Sequence, residues 1–221
     1  MDVAATIQTW INVLTHPNEE TFAQERQKPT ANLTTALIWI VIAAVVTAVF
    51  GFISSRFIFA AQGSLMMPML NQMDMPPEAR AQLAQLLSSG LMTGMLGGAS
   101  LFAIILAPIG FLISVGIYYL IARVLGGTGD YGRYAYLIAV FQAPISIILA
   151  VVSWVPILGG CVGLIGWIYS LVLTFYATKV EHNLTSGKAI AVIVIPIVVL
   201  LALFACFGVA ILAMIASLSN R

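Results

Sequence analysis

Residues 134–178 read YAYLIAVFQAPISIILAVVSWVPILGGCVGLIGWIYSLVLTFYAT, without one charged side chain. Trp154-Val155-Pro156, with Gly159-Gly160 just beyond, punctuates the run. The stretch therefore reads as a tight helical hairpin of two membrane spans, 134–153 and 158–178. Working outward, residues 81–122 are also free of charge. A straight helix of that length would reach about 63 Å, twice the ~30 Å hydrocarbon core, so a break is expected at Ser88-Ser89-Gly90 or at Gly97-Gly98. A second span is placed at 98–122, containing Pro108 and closed by Arg123. The first span falls at 34–55 and the fifth at 189–218, with Pro196 a point of tilt or kink.

Composition agrees. Of 221 residues, 61% are hydrophobic and 8% charged, against about 25% charged in a soluble domain. A water-soluble globule of this length could not cover so much apolar side chain. The fold class is all-α: a polytopic membrane protein with five spans, an N-terminal amphipathic helix and a second amphipathic helix in the first outer loop. Nine Lys and Arg against eight Asp and Glu give a net charge of +1, which excludes a basic nucleic-acid surface. Cys161 and Cys206 lie far apart in apolar runs and form no disulfide or zinc pattern. The first cation is Arg26, so a cleaved signal peptide is not expected.

Residues 1–33 form a separate lead-in. Val3, Ile7, Trp10, Ile11 and Leu14 share one helical face opposite Gln8, Thr9 and Asn12, and Pro17 ends that helix. Its apolar face can lie in the headgroup plane or pack on the spans; residues 18–33 read as polar linker. Residues 62–80 read as a Met-rich loop, followed by an amphipathic helix near 78–89. With five spans and an inner N-terminus, Arg26, Lys28, Arg123, Arg133, Lys179 and Lys188 fall inside, while Arg56, Arg80 and Arg221 fall outside. The six-to-three excess favours a cytoplasmic N-terminus and an outside C-terminus in the cell (inner) membrane.

No catalytic constellation, cofactor motif or paired intramembrane carboxylate is present, so an enzyme is not expected. Gly159, Gly163, Gly166 and Ser170 form a small-residue stripe, and Gly94 and Gly98 a second; both suit close helix contact inside the bundle more than a dimer seam. Gln142, two residues before Pro144, is the most polar side chain within a span. It serves an interhelical hydrogen bond or, less simply, lines a cavity. Arg123, Arg133, Lys179 and Lys188 stand at four span ends, where cations can hold anionic lipid headgroups. Met66, Met67, Met69, Met73 and Met75 offer soft thioethers to Cu(I), but an adaptable apolar floor is the favoured reading; no cofactor is assigned.

The order of several loose motifs resembles the Yip domain family, the Ypt/Rab-interacting membrane proteins, in a short prokaryotic form. Trp10 through Pro17 with Phe22 is similar to its lead-in. Gly126-Gly127-Thr128-Gly129-Asp130-Tyr131 resembles its glycine-rich turn, and Tyr136 followed by Pro144 its third span. Trp167-Ile168-Tyr169-Ser170 and Ser186-Gly187-Lys188-Ala189 resemble the fourth span and the following loop. The resemblance implies a five-helix membrane domain with a cytosolic N-terminus. For eukaryotic relatives it implies binding to prenylated Rab GTPases and roles in vesicle traffic. This chain lacks the Asp-Leu-Tyr-Gly-Pro motif of those relatives, so a Rab-type partner is not carried over. The leading expectation is a non-enzymatic scaffold or adaptor whose partners are membrane lipids, other membrane proteins or a second copy. The alternative is a transporter or lipid-translocating protein, for which Pro108, Pro144 and Pro196 would break helices around a mid-membrane site.

Overall fold

Apolar runs become helices in hydrocarbon because no water is there to satisfy backbone N–H and C=O groups. The computed structural model describes residues 3–72, 78, 81–82, 85, 91–153 and 156–219, with side chains described at 3–54, 78, 81–82, 85, 102–153 and 159–208. The helices are α1 Val3–Thr15, α2 Glu19–Arg26, α3 Leu33–Gln72, α4 Leu91–Val124, α5 Tyr131–Val152, α6 Pro156–His182 and α7 Ser186–Ser219. There is no strand among the described residues. Five segments are long and apolar enough to cross a membrane: Leu33–Ser54, Phe102–Val124, Tyr131–Val152, Gly159–His182 and Ser186–Gly208. The all-α, multi-pass reading of the sequence is thus the observed architecture.

Three local expectations are corrected. The linker expected at 18–33 contains α2. Asn18 caps it, its side chain accepting from the Thr21 N–H, with Glu19 and Glu20 in the first turn and Arg26 in the last. Both charge placements favour the helix dipole. The Met-rich segment does not start as a loop at 62, because α3 continues to Gln72. Gln, Leu and Met supply seven of the eleven residues 62–72, and all three are strong helix formers, which outweighs Gly63 and Pro68 there. Finally, of the two break points expected, Gly97-Gly98 is overturned, because α4 starts at Leu91 and runs unbroken through it, glycine costing a helix little where water cannot compete for its backbone; Ser88-Ser89-Gly90 lies outside the described residues. Of the outer-loop helix expected near 78–89, only Glu78, Ala81, Gln82 and Gln85 are described, and all four are exposed. The side chains of Met66, Met67, Met69, Met73 and Met75 lie outside the described residues.

Exposure separates the helices. On α4, Phe102, Ile105, Leu106, Ile109, Ile113, Ile117, Leu120 and Val124 form one exposed stripe at helical spacing, and α7 exposes Ile190, Val194, Val198 and Leu201. Such surfaces need lipid. By contrast, residues 134–141 of α5 are all buried, so that stretch is covered on every face.

The chain divides into two units. One comprises 37–111 and 139–168. In it α3 buries Trp39, Ile40, Ala43, Ala44 and Ala48. A Cβ added at Gly166 would meet Leu149 Cδ2 at 3.3 Å, and one at Gly159 the Ser153 Cα at 3.0 Å, while Gly163 has nothing within 4 Å. Gly94 and Gly98 belong to α4, but their surroundings lie outside the described residues. Gln142 is exposed and Pro144 buried. The other unit comprises 1–36, 112–138 and 169–221. It contains α1, α2 and the polar ends of α5 and α6.

Candidate functional site

Two helix ends build the floor of the site. α4 closes with Gly126 at φ 92°, its N–H bonded to the Arg123 carbonyl at 3.0 Å and the Gly127 N–H to the Ala122 carbonyl at 2.8 Å. This double bond pattern is a left-handed glycine cap. α6 closes on Asn183 at φ 51°, and the Leu184 N–H bonds the Lys179 carbonyl at 3.2 Å. Asn is among the few side chains that tolerate this backbone region. Leu184 then packs with Ala122, Ala189 and Val192. The two ends interlock: the Thr128 N–H donates to the His182 carbonyl at 3.2 Å. Gly127 and Gly129 permit that approach. A Cβ at Gly129 would stand 2.9 Å from the Glu181 carbonyl oxygen, and one at Gly127 would stand 2.8 Å from His182 Cβ. Asp130 follows as the cap of α5, its Oδ1 accepting from the Arg133 N–H at 3.0 Å.

On this floor stand two buried carboxylates. Glu181 has no exposed surface. Its Oε1 accepts from the Asp130 N–H at 2.8 Å and from Arg133 Nε at 3.2 Å. Arg26 Nε lies 3.1 Å from Oε2 as an ion pair, while Arg26 Nη1 donates to the Val180 carbonyl at 3.0 Å. Glu25 on α2 is equally buried. Lys28 Nζ donates to it at 2.6 Å and the Tyr136 hydroxyl at 3.0 Å. Burying a carboxylate is tolerable only when opposite charge and hydrogen bonds replace its water, and here both conditions are met. These pairs fasten α2 to α5 and α6. The rest of the contact reinforces them: Phe22 stacks on Tyr176 at 6.3 Å, Lys28 Nζ reaches Thr9 Oγ1 at 3.0 Å, Lys179 pairs with Glu19, and the Tyr169 hydroxyl donates to the Leu14 carbonyl. Glu181 Oε1 takes both hydrogen bonds, and Oε2 is held by the Arg26 charge alone, with no hydrogen-bond partner among the described residues.

His182 is buried between the rings of Tyr134, at 4.9 Å, and Tyr119, at 5.4 Å. Neither ring nitrogen has a hydrogen-bond partner among the described residues. The imidazole acts as a packing ring beneath the glycine loop.

The span-end cations read from the sequence are placed as follows. Arg133 is spent partly on Glu181 and Lys179 on Glu19. Arg123 lies over the Tyr119 ring at 5.6 Å and donates to the Gly127 carbonyl at 3.4 Å. Lys188 is exposed beside Gly126. The sequence reading missed Glu25, Glu181 and Tyr136 as a connected set, and missed that Arg26 and Lys28 join Arg133. Arg26, Gln27, Lys28, Ala31, Asp130 and Arg133 line one open depression of about 700 Å³. α1 resolves into faces. Val13 is buried and Trp10 Nε1 is shielded, whereas Val3, Ile7 and Ile11 form an exposed apolar stripe.

Residues 11–207 match the family model of the Yip1 domain. No curated protein and no solved structure matches the chain. The match covers most of the sequence, including α2, the glycine loop and all five candidate spans, and the chain belongs to the Yip1 domain family.

Proposed function

From this membership of the Yip1 domain family, we propose that the protein is a non-enzymatic membrane scaffold or adaptor, of the short prokaryotic type, that organises lipids or membrane-protein partners. One observation carries the reading: the N-terminal helices are fastened to the ends of two spans by buried carboxylates paired with Arg26, Lys28 and Arg133. The charges are spent on holding a platform. Its outward parts are the free edges of Arg26, Lys28 and Arg133, the exposed Lys188, and the Val3, Ile7 and Ile11 stripe on α1. A helix docked on one side and apolar on another suits the membrane interface.

Translocation, the alternative, drew support from proline breaks. α4, α5 and α7 instead run continuously through Pro108, Pro144 and Pro196, which favours the scaffold. In vesicles of phosphatidylcholine and phosphatidylglycerol carrying the purified chain, labelled lipid is expected to stay in its leaflet at the protein-free rate. Scrambling that Gln142→Leu abolishes would replace the scaffold with the translocator.

The platform is assigned to the cytoplasmic side of the cell (inner) membrane by the cation bias. Cysteines introduced at the exposed Thr128 and Ser186 are expected to resist an impermeant thiol reagent in intact cells and to react after permeabilisation. Labelling of either in intact cells reverses the orientation. A Rab-type GTPase is not proposed as partner.

A further inference from the structure

The depression between α2 and the start of α5 has an asymmetry that the ion pairs alone do not require. Glu25 and Glu181, the carboxylates that pair with its cations, are buried and do not line it, whereas the side chains of Arg26, Lys28 and Arg133 are 29%, 40% and 41% exposed. One buried carboxylate takes two guanidiniums, through their Nε atoms. Both terminal nitrogens of Arg133 and Nη2 of Arg26 therefore keep their protons without an acceptor among the described residues. Planar guanidinium edges with free donors match the oxygens of a phosphate. Asp130 is the one carboxylate on the lining, which Gln27 also shares. The place matters as much as the charge. Arg133 is the third residue of α5, and Glu181 is the last but one of α6. The groove thus lies at the ends of two candidate spans, and a helix that crosses the hydrocarbon core brings its ends to the headgroup region, whichever side faces the cytoplasm.

We infer that this groove binds the phosphate of an anionic lipid headgroup, held by Arg26, Lys28 and Arg133, with Asp130 and Gln27 beside the headgroup's hydroxyls. The inference rests on the scaffold reading and gives its lipid-organising surface a chemistry.

The test uses two variants that leave the buried pairs intact. Asp130→Asn keeps a helix cap of equal quality and removes the lining's negative charge. Gln27→Glu adds one at an exposed side chain. The purified full chain is extracted from equimolar phosphatidylcholine and phosphatidylglycerol, and retained lipid is counted by native mass spectrometry. Phosphatidylglycerol is expected to be retained preferentially, about fivefold more tightly in Asp130→Asn and about fivefold more weakly in Gln27→Glu, the weight of one charge near a lipid surface. Inorganic phosphate is added in a parallel arm. Displacement at millimolar levels confirms the phosphate site and makes the free ion its second source; resistance confirms the lipid alone. Equal retention of the two lipids, unmoved by either variant, overturns the site. That outcome is separate from failure of the scaffold reading, which the scrambling assay detects on its own.

Discussion

Glu181→Ala is expected to lower stability by about 3 kcal/mol and to loosen the N-terminal helices from the spans. Removing one side of a buried ion pair leaves the other uncompensated, at a cost of roughly 3–5 kcal/mol. The lower end applies because both guanidiniums keep contact with water. The lost partners are specific: Arg26 on the N-terminal segment, Arg133 in α5 and the Asp130 N–H at the loop. Glu181→Gln keeps an acceptor for the Asp130 N–H but not the charge, and an intermediate loss follows. Thermal unfolding in detergent measures the first effect. Protease cleavage within residues 16–32 of the folded protein measures the second, with Glu20→Ala, an exposed carboxylate, as the control. A Glu181→Ala protein with wild-type midpoint and wild-type resistance would remove Glu181 as the fastening point.

The five spans were legible because a bilayer imposes length and polarity rules that composition alone reveals. The cap at Asp130 was not read, the glycine-rich turn at 126–131 was noted through the family resemblance, and the hairpin at 134–178 follows from local chemistry. The pairing of Glu25 with Tyr136 and of Glu181 with Arg26 does not. Those partners are 111 and roughly 155 residues apart, and nothing in either neighbourhood names the other. A hint was nonetheless present. In a chain with 8% charged residues, Glu181 sits between Val180 and His182 at the end of a span, where a lone carboxylate needs a partner. α2 was missed for a related reason. Its mean polarity reads as linker, while its helix rests on one cap and on the burial of Phe22 and Glu25 against α5 and α6. The end of α3 was missed because methionine clusters suggest loops or metal sites, although methionine is a good helix former.

Gly129→Ala should cost about 2–3 kcal/mol, close to the upper range for overpacking a well-filled site. The added Cβ would lie 2.8 Å from His182 Nδ1, 2.9 Å from Glu181 Cγ and 2.9 Å from the Glu181 carbonyl oxygen. A flexible tip could swing away. A backbone carbonyl at the last turn of α6 cannot move without the helix, so the loop itself must lift. Lifting it withdraws the Asp130 N–H from Glu181 and the Thr128 N–H from the His182 carbonyl. The mutation therefore weakens the carboxylate lock through the backbone while leaving every charged side chain in place. Gly187→Ala is the matched control: nothing lies within 4 Å of the added carbon, and in the first turn of α7 alanine restricts the unfolded chain, for a gain of roughly 0.5 kcal/mol. The two substitutions add the same methyl group and should shift the unfolding midpoint in opposite directions. Identical midpoints would mean that the glycine loop is not seated on the end of α6. A depressed midpoint for Gly129→Ala, together with the cleavage pattern of Glu181→Ala, would place both residues in one mechanical unit.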